Sequence, residues 1–318
     1  MKKVRCALCN SDDSEILFRE GSFKKGGGEI ALRNVICRCC GLVYLNPRST
    51  QAEYNDLYRN SFFKVHESIA DVEEIKKRLK QKGYKKGKRV FSFFSSCLDS
   101  SSKVLDVGCG YGVVLKIIKD SLNCKIEGIE PNSVFAEFAS RYFNLNIFRG
   151  SFGKYYKEFE DKRHFDLIVL HHVFEHFLEP NFIFSCFKKL LKPKGHLYVE
   201  IPNVSAIKTS PVSFFQFFHP YNYSPFTFYL MSFKAGFKIV KFDDASYPNR
   251  MRFILTHVEN SQKALPSHLF QRGNNYKNVI RIVKRNQFKY SILQFIWPAG
   301  KIIPQPIRKK LRLLLKKI

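Results

Sequence analysis

Three sets of side chains in this chain have types and spacings suited to chemistry. The first surrounds a bend. Lys103 to Leu115 reads KVLDVGCGYGVVL: an apolar run of Val104, Leu105 and Val107 around Asp106, then Gly108, Gly110 and Gly112 at every second position, then an apolar stretch from Val113 to Ile118. Glycines so spaced let the backbone turn sharply and approach a ligand with no Cβ in the way, leaving free amides at a helix N-terminus. A nucleoside cofactor is the expected ligand. A dinucleotide fingerprint would space its glycines G-x-G-x-x-G to seat a pyrophosphate. Here Asp106 stands two positions before the first glycine, where it repels phosphate and suits a cation. The second set is four thiols, Cys6, Cys9, Cys37 and Cys40, in two C-x-x-C turns. Two such turns can close a tetrahedral zinc site with sulfurs at about 2.3 Å, a structural rather than catalytic arrangement. The 27 residues between the turns exceed the usual gap, Cys39 could compete as a ligand, and reduced thiols without metal are the plain alternative. The third set is His172, His176 and His219 with Glu175, imidazoles able to take a proton from an attacking hydroxyl and a carboxylate to orient them.

On the bend and three later segments, the chain resembles the class I S-adenosylmethionine-dependent methyltransferases, whose first motif has the form D/E-x-G-x-G-x-G. Ile126-Glu-Gly-Ile-Glu130-Pro131-Asn132 matches the next strand, ending in an acid 24 residues after Asp106. Phe165 to Leu170 followed by His171-His172-Val-Phe-Glu175-His176 is similar to the strand-four segment. Leu190 to Gly195 leading into Leu197 to Asn203 is similar to the turn and strand after it. The resemblance implies S-adenosylmethionine held by Asp106, Gly108, Cys109, Gly110 and Gly112, with Glu130 on the ribose hydroxyls. Pro131 and His171 complete the set, and Ser151 and Phe152 stand where the family commonly places an acid near the adenine amino group. The thiol module, with Gly41 to Pro47 as its exit, resembles the N-terminal zinc-binding ribbon that precedes the core in many bacterial sugar C- and O-methyltransferases.

The elements that must position these residues follow from periodicity. The resemblance implies an α/β fold, a Rossmann-like seven-stranded methyltransferase sheet with an N-terminal zinc-ribbon module, to which the sequence adds a basic helical C-terminal extension. Its parts are residues 1–48, the ribbon, with hairpin strands at Ile16–Phe18 and Ile30–Val35 joined by Gly26 to Gly28; 49–95, a helical linker or lid; 96–258, the core; and 259–318, the extension. In the linker, Tyr54 and Tyr58 are candidates for lid or packing, Ile69 to Leu79 is amphipathic, and Lys82 to Arg89 is expected to be a basic solvated loop. In the core, the aromatic run Phe214 to Phe226 is expected to wall the acceptor pocket, and Arg252 to Val258 to close the sheet antiparallel.

With 318 residues, 45% apolar and 25% charged, the chain is expected to be globular, and no clean run of 18 apolar residues suggests a spanning helix. Nine cysteines, and acids where a signal peptide would be apolar, point to a reducing, cytoplasmic setting. The formal charge of +27 is uneven: no acid follows Glu259, while residues 261 to 318 hold 14 Lys or Arg. Polyanions or an anionic membrane are the partners such a tail would meet, and Ile307, Leu311, Leu314 and Ile318 share one helical face opposite the basic residues. A solvated basic face on a docked helix is the competing reading.

The resemblance implies methyl transfer to a small or saccharide-type acceptor, at oxygen, in surface-glycan (polysaccharide) or secondary-metabolite synthesis. The acceptor is lipid-linked if the tail lies on a membrane. Oxygen is favoured over carbon because the sugar C-methyltransferases of this kind carry a further C-terminal domain that some 60 residues cannot hold. Two rivals remain: an RNA methyltransferase gripping phosphates with ribbon and tail, less favoured for want of an Asn/Asp-Pro-Pro-Tyr type motif, and a non-catalytic cofactor-binding scaffold.

Overall fold

A computed structural model of the chain describes residues 1–19, 22–25, 28–57, 72–161, 164–247, 249–258 and 274–296. Thirteen strands are described: β1 (Ser14–Phe18), β2 (Ser22–Lys25), β3 (Gly28–Ala31), β4 (Asn34–Cys37), β5 (Val43–Leu45), β6 (Lys103–Val107), β7 (Lys125–Glu130), β8 (Ile147–Arg149), β9 (Phe165–His171), β10 (Leu191–Pro202), β11 (Tyr221–Asn222), β12 (Phe237–Asp243) and β13 (Arg250–His257).

Seven of them form the main sheet in the order β12-β13-β10-β9-β6-β7-β8. The strands from β10 to β8 are parallel, and β13 inserts antiparallel between β10 and β12. Val104 and Leu105 of β6 and Leu167 to Leu170 of β9 are wholly buried, as strands covered by helices on both faces must be. From β6 the chain runs outward through β7 to β8, then returns to lay β9 on the other side of β6. That reversal opens a crevice beyond the carboxyl ends of β6 and β9, the place where open parallel sheets bind ligands.

Local rules set the helix boundaries. The helix Val113–Leu122 begins at Gly112 (φ +74°) and buries Val114, Leu115, Ile117 and Ile118. The Asn132 side chain accepts from the Phe135 N–H and caps Ser133–Phe143, and a Ser224/Thr227 capping box opens Pro225–Lys234. Lys82 to Arg89 is not the loop expected. Leu79–Gly83 is a π-helical turn and Tyr84–Phe94 an α-helix burying Gly87, Val90, Phe93 and Phe94. Gly87 serves a close helix crossing there: a Cβ would stand 2.6 Å from Ile117 Cδ1.

The N-terminal module is a second sheet, β1-β4-β5-β11, and its fourth strand comes from the core sequence. The expected hairpin partners do meet, with Ile16 opposite Val35, while β2 and β3 form a separate two-stranded ribbon. Tyr221 pairs with Tyr44 and Asn222 with Val43, so the segment after His219 is hydrogen-bonded into the ribbon. The helix Asn274–Ile296 lies against this sheet, with Val279 and Val283 buried beside Leu17, Phe18, Ile36, Val43 and Phe215. No helix among the described residues is long and apolar enough to cross a membrane. Tyr58, Gly26 and the basic terminal face from Ile307 to Ile318 lie outside the described residues.

Candidate active site

The glycine bend and the acids flanking it occupy the crevice. Gly108, Gly110 and Gly112 have φ of +67°, +55° and +74°, a region closed to most side chains. A Cβ on Gly108 would stand 2.7 Å from Val173 Cγ2 and one on Gly112 would strike Leu145 and Ala139, whereas one on Gly110 would meet nothing within 4 Å. Gly110 therefore faces open space and forms the floor of a cradle. The amides expected to be free are not: Gly108 and Cys109 donate to Ile129 O, Gly112 to Cys109 O, and Gly110 to Glu130 Oε2 at 2.8 Å. Internal bonding of these donors removes the nest a phosphate needs. What remains is negative. Asp106 and Glu130 are both buried, and Glu130 Oε1 also accepts from the Asn132 N–H at 2.7 Å. Burial pushes Glu130 up to about 7 against those two N–H groups, and burial together with Glu130 raises Asp106 well above the usual carboxylate range. Two desolvated carboxyls side by side suit a cationic nucleoside, whose charge and ribose hydroxyls would restore their ionised forms.

Other residues expected at the cofactor stand differently. The Cys109 thiol turns into the core, where a Cβ on Gly128 would lie 2.8 Å from its sulfur. The Phe152 ring is packed 4.9 Å from that of Phe187, in the core rather than over the cradle. Ser151 caps the helix Phe152–Phe159, accepting from the Lys154 N–H. Pro131 sits between Glu130 and the helix cap Asn132, and His171 ends β9 beside the bend.

Across the crevice the histidines and acids gather in one buried cluster. His172 has a left-handed backbone (φ +58°), fixed by its N–H to Glu200 O at 2.8 Å. Its Nδ1 lies 3.3 Å from Glu175 Oε1 and its Nε2 3.5 Å from Glu200 Oε1. Burial alone would lower His172, but the two carboxylates outweigh it and favour the imidazolium. In turn His172 holds Glu175 down to about 2 despite burial. The other three imidazoles go the opposite way: burial lowers His171 to about 3, His219 to about 4, and His176 below its ordinary value. His176 Nδ1 lies 2.7 Å from Phe218 O, so that nitrogen carries the proton, and its ring stacks edgewise 5.0 Å from His219. His219 is thus a neutral imidazole beside the Glu175 carboxylate, whereas the carboxylates around His172 favour its charged form.

Glu200, at the end of β10, is the hub that the sequence reading missed. Fully buried, it accepts two bonds from Arg89, at 2.7 and 3.0 Å, one from Arg250 at 3.2 Å and one from the Tyr198 hydroxyl at 2.7 Å. His171 and His172, whose Nε2 atoms each lie 3.5 Å from its Oε1, and then Arg89 hold it far below the usual carboxylate range despite burial. An acid inside the otherwise apolar run Leu197 to Ile201 was the available signal. Arg89 gave none, since it sat in a stretch read as loop.

The four thiols converge as their spacing implied. Cys6 and Cys40 sulfurs lie 3.5 Å apart, as do those of Cys9 and Cys37, and all four fall within 4.8 Å of one another. A disulfide would need about 2.05 Å, whereas sulfurs about 2.3 Å from a tetrahedral zinc lie ~3.8 Å apart. Asn10 (φ +62°) and Gly41 (φ +77°) turn the chain just after each pair. Cys39 stands outside this group. The ribbon reaches the active site through β11 and through Arg48, which donates to Leu178 O (2.7 Å), the Tyr221 hydroxyl (2.6 Å) and Glu179 (2.7 Å). The aromatic run is mostly packing: Phe215 lies against Phe18, and Phe217 stacks on Tyr54, whose hydroxyl donates to Phe218 O. Burying these rings anchors the loop bearing His219.

Comparison with known proteins bears on this architecture. No curated protein matches by sequence. Among solved structures, the chain is similar to the mitomycin 7-O-methyltransferase, with 14% identity, a TM-score of 0.49, and 64% of this chain and 60% of that one covered. It is also similar to magnesium protoporphyrin IX methyltransferase from Synechocystis PCC 6803 with bound SAH, with 12% identity, a TM-score of 0.48 and coverage of 66% and 100%. A third is a SAM-dependent methyltransferase from Aquifex aeolicus, with 17% identity, a TM-score of 0.45 and coverage of 62% and 98%. A family model described as a methyltransferase domain matches residues 63–242, the stretch that holds the bend, both acids and the histidine cluster. With more than half of its length under that model, the chain belongs to the methyltransferase domain family and is an S-adenosylmethionine-dependent methyltransferase of class I.

Proposed function

We propose that this enzyme methylates a hydroxyl oxygen of a small, saccharide-type acceptor in surface-glycan or secondary-metabolite synthesis, with His219 as the base and a structural zinc in the ribbon. The observation that carries the reading is the neutral His219 beside ionised Glu175, in the crevice shared with the glycine bend. Asp106, Gly110 and Glu130 would hold S-adenosylmethionine, which would supply a methyl on a sulfonium, the C–O bond forming as the C–S bond breaks and S-adenosylhomocysteine leaving. The chain's residues do the rest. Asp106 and Glu130 balance the cofactor's positive charge. His219 receives the hydroxyl proton as the oxygen attacks, and Glu175 stabilises the imidazolium so formed. His172, its proton favoured by Glu175 and Glu200, fixes Glu175 in place and is the weaker candidate for the base. Cys6, Cys9, Cys37 and Cys40 would hold zinc as thiolates, and through β11 the metal would fix the loop that carries His219.

The test is turnover with a panel of free sugars, nucleotide-linked sugars and phenols, followed by product analysis for the methylated atom. Transfer to oxygen is expected, with His219→Asn lowering turnover ~10²–10⁴-fold at unchanged cofactor affinity. Methylation at carbon or nitrogen, or a fully active His219→Asn enzyme, would overturn the proposal.

A further inference from the structure

Positive charge outnumbers negative charge around Glu200. Lys86 and Arg89 lie one turn apart on the helix Tyr84–Phe94 and Arg250 and Arg252 on β13, with His172, whose charged form is favoured, just past β9. Facing them are Glu200 and Glu175, while Asp243 is taken by Arg252. Glu200 already accepts four hydrogen bonds, the capacity of a carboxylate. Donors are therefore left over. Arg250 spends one N–H on Glu200, and its buried Nε has no partner. Lys86 has no hydrogen bond or ion pair among the described residues. Lys86 is exposed along its side chain; partial desolvation lowers its ammonium from the ordinary lysine range, Glu200 opposes that, and Arg250 and Arg89 add to the lowering. The Tyr247 ring backs the site, 4.7 Å from the Arg89 guanidinium carbon and 5.9 Å from that of Arg250.

A buried donor with no acceptor is costly, and a cationic cluster with spare donors is relieved by an anion. We propose that Lys86 and Arg250 form an anion subsite for the acceptor, so that the molecule methylated carries a phosphate or a carboxylate group. The subsite rests on the methyl-transfer reading above and names its substrate class. It lies at the carboxyl end of β10 and the adjoining amino end of antiparallel β13, on the far side of β9 from the bend between β6 and β7, so one acceptor can span from the cations to the histidine cluster.

The experiment titrates the full-length protein, saturated with S-adenosylhomocysteine, with inorganic phosphate by calorimetry at constant ionic strength, then repeats the titration in acetate. Phosphate binding is expected, and Lys86→Met and Arg250→Met should each weaken it about tenfold or more without changing affinity for S-adenosylhomocysteine. Displacement by acetate extends the subsite to carboxylates, and its failure narrows the subsite to phosphate. The inference falls if the wild type binds no phosphate or if Lys86→Met, which breaks no bond of the fold, binds it as the wild type does. It falls equally if S-adenosylhomocysteine abolishes binding seen in the free protein, since the cations would then serve the cofactor's own carboxylate. Measuring methyl transfer on the same samples separates the two claims: transfer without phosphate binding removes the subsite alone, and phosphate binding without transfer to any oxygen removes the reaction assignment alone.

Discussion

Replacing Glu130 with Gln should make the empty protein more stable and the cofactor bind worse. Glu130 is buried next to buried Asp106, and its carboxyl is pushed from 4.5 to about 7. A raised value means the fold prefers the protonated form, so this contribution is fully present below pH 4.5 and is lost as pH rises through 7. At ~1.4 kcal/mol for each tenfold in proton affinity, the ionised side chain costs the fold about 3 kcal/mol at pH 8. Gln removes that charge but offers one acceptor oxygen where the carboxylate serves two backbone donors, Gly110 N–H and Asn132 N–H. Losing one such bond costs about 1 kcal/mol, leaving Glu130→Gln about 2 kcal/mol more stable at pH 8 and close to the wild type below pH 4.5. Relief of Asp106, which Glu130 repels, acts with the same sign. Urea titration of both proteins across this range measures the difference, and taking the difference cancels the other titrating groups. Calorimetry should find S-adenosylmethionine affinity reduced roughly 10- to 100-fold, the worth of charge-assisted bonds to ribose. A Glu130→Gln protein less stable than the wild type at pH 8, or one with unaltered cofactor affinity, would refute this account of the acid pair.

Cofactor binding by the wild type should itself weaken as pH drops below about 7. Between pH 4.5 and 7 it should release a proton, seen as a buffer-dependent heat; a heat independent of the buffer would contradict the Glu130 assignment. Gly110→Ala should leave a folded protein with little cofactor binding, because a methyl at φ +55° fills the cradle and strains the bend by about 1–2 kcal/mol; near-normal affinity would show that the ligand lies elsewhere. Metal analysis should give about one zinc per chain. Chelation or Cys37→Ser should abolish turnover while S-adenosylmethionine still binds, since the ribbon holds the His219 loop and not the bend; full turnover without metal would separate the ribbon from the reaction.

The sequence by itself determined what is local. Glycines at every second position after Asp106, apolar runs of strand length and two C-x-x-C turns are read within a few residues, and each constrains the backbone where it stands. The seven-stranded sheet and its antiparallel last strand were implied by the resemblance those local motifs carry. Tertiary structure alone decided the rest. Arg89, Glu200 and Arg250 meet from three distant elements, and no spacing rule links residues 111 and 50 positions apart. Tyr221 and Asn222 leave the core sequence to complete the ribbon sheet, turning an N-terminal module into part of the active-site wall. The Lys82 to Arg89 stretch became helical because Gly87 packs on Ile117, a contact that outweighs its loop-like composition. Which histidine is neutral was equally beyond the sequence. His172 and His219 are the same residue type and burial lowers both; the Glu175 and Glu200 carboxylates bonded to His172 favour its proton, and the lack of such bonds leaves His219 free to take one.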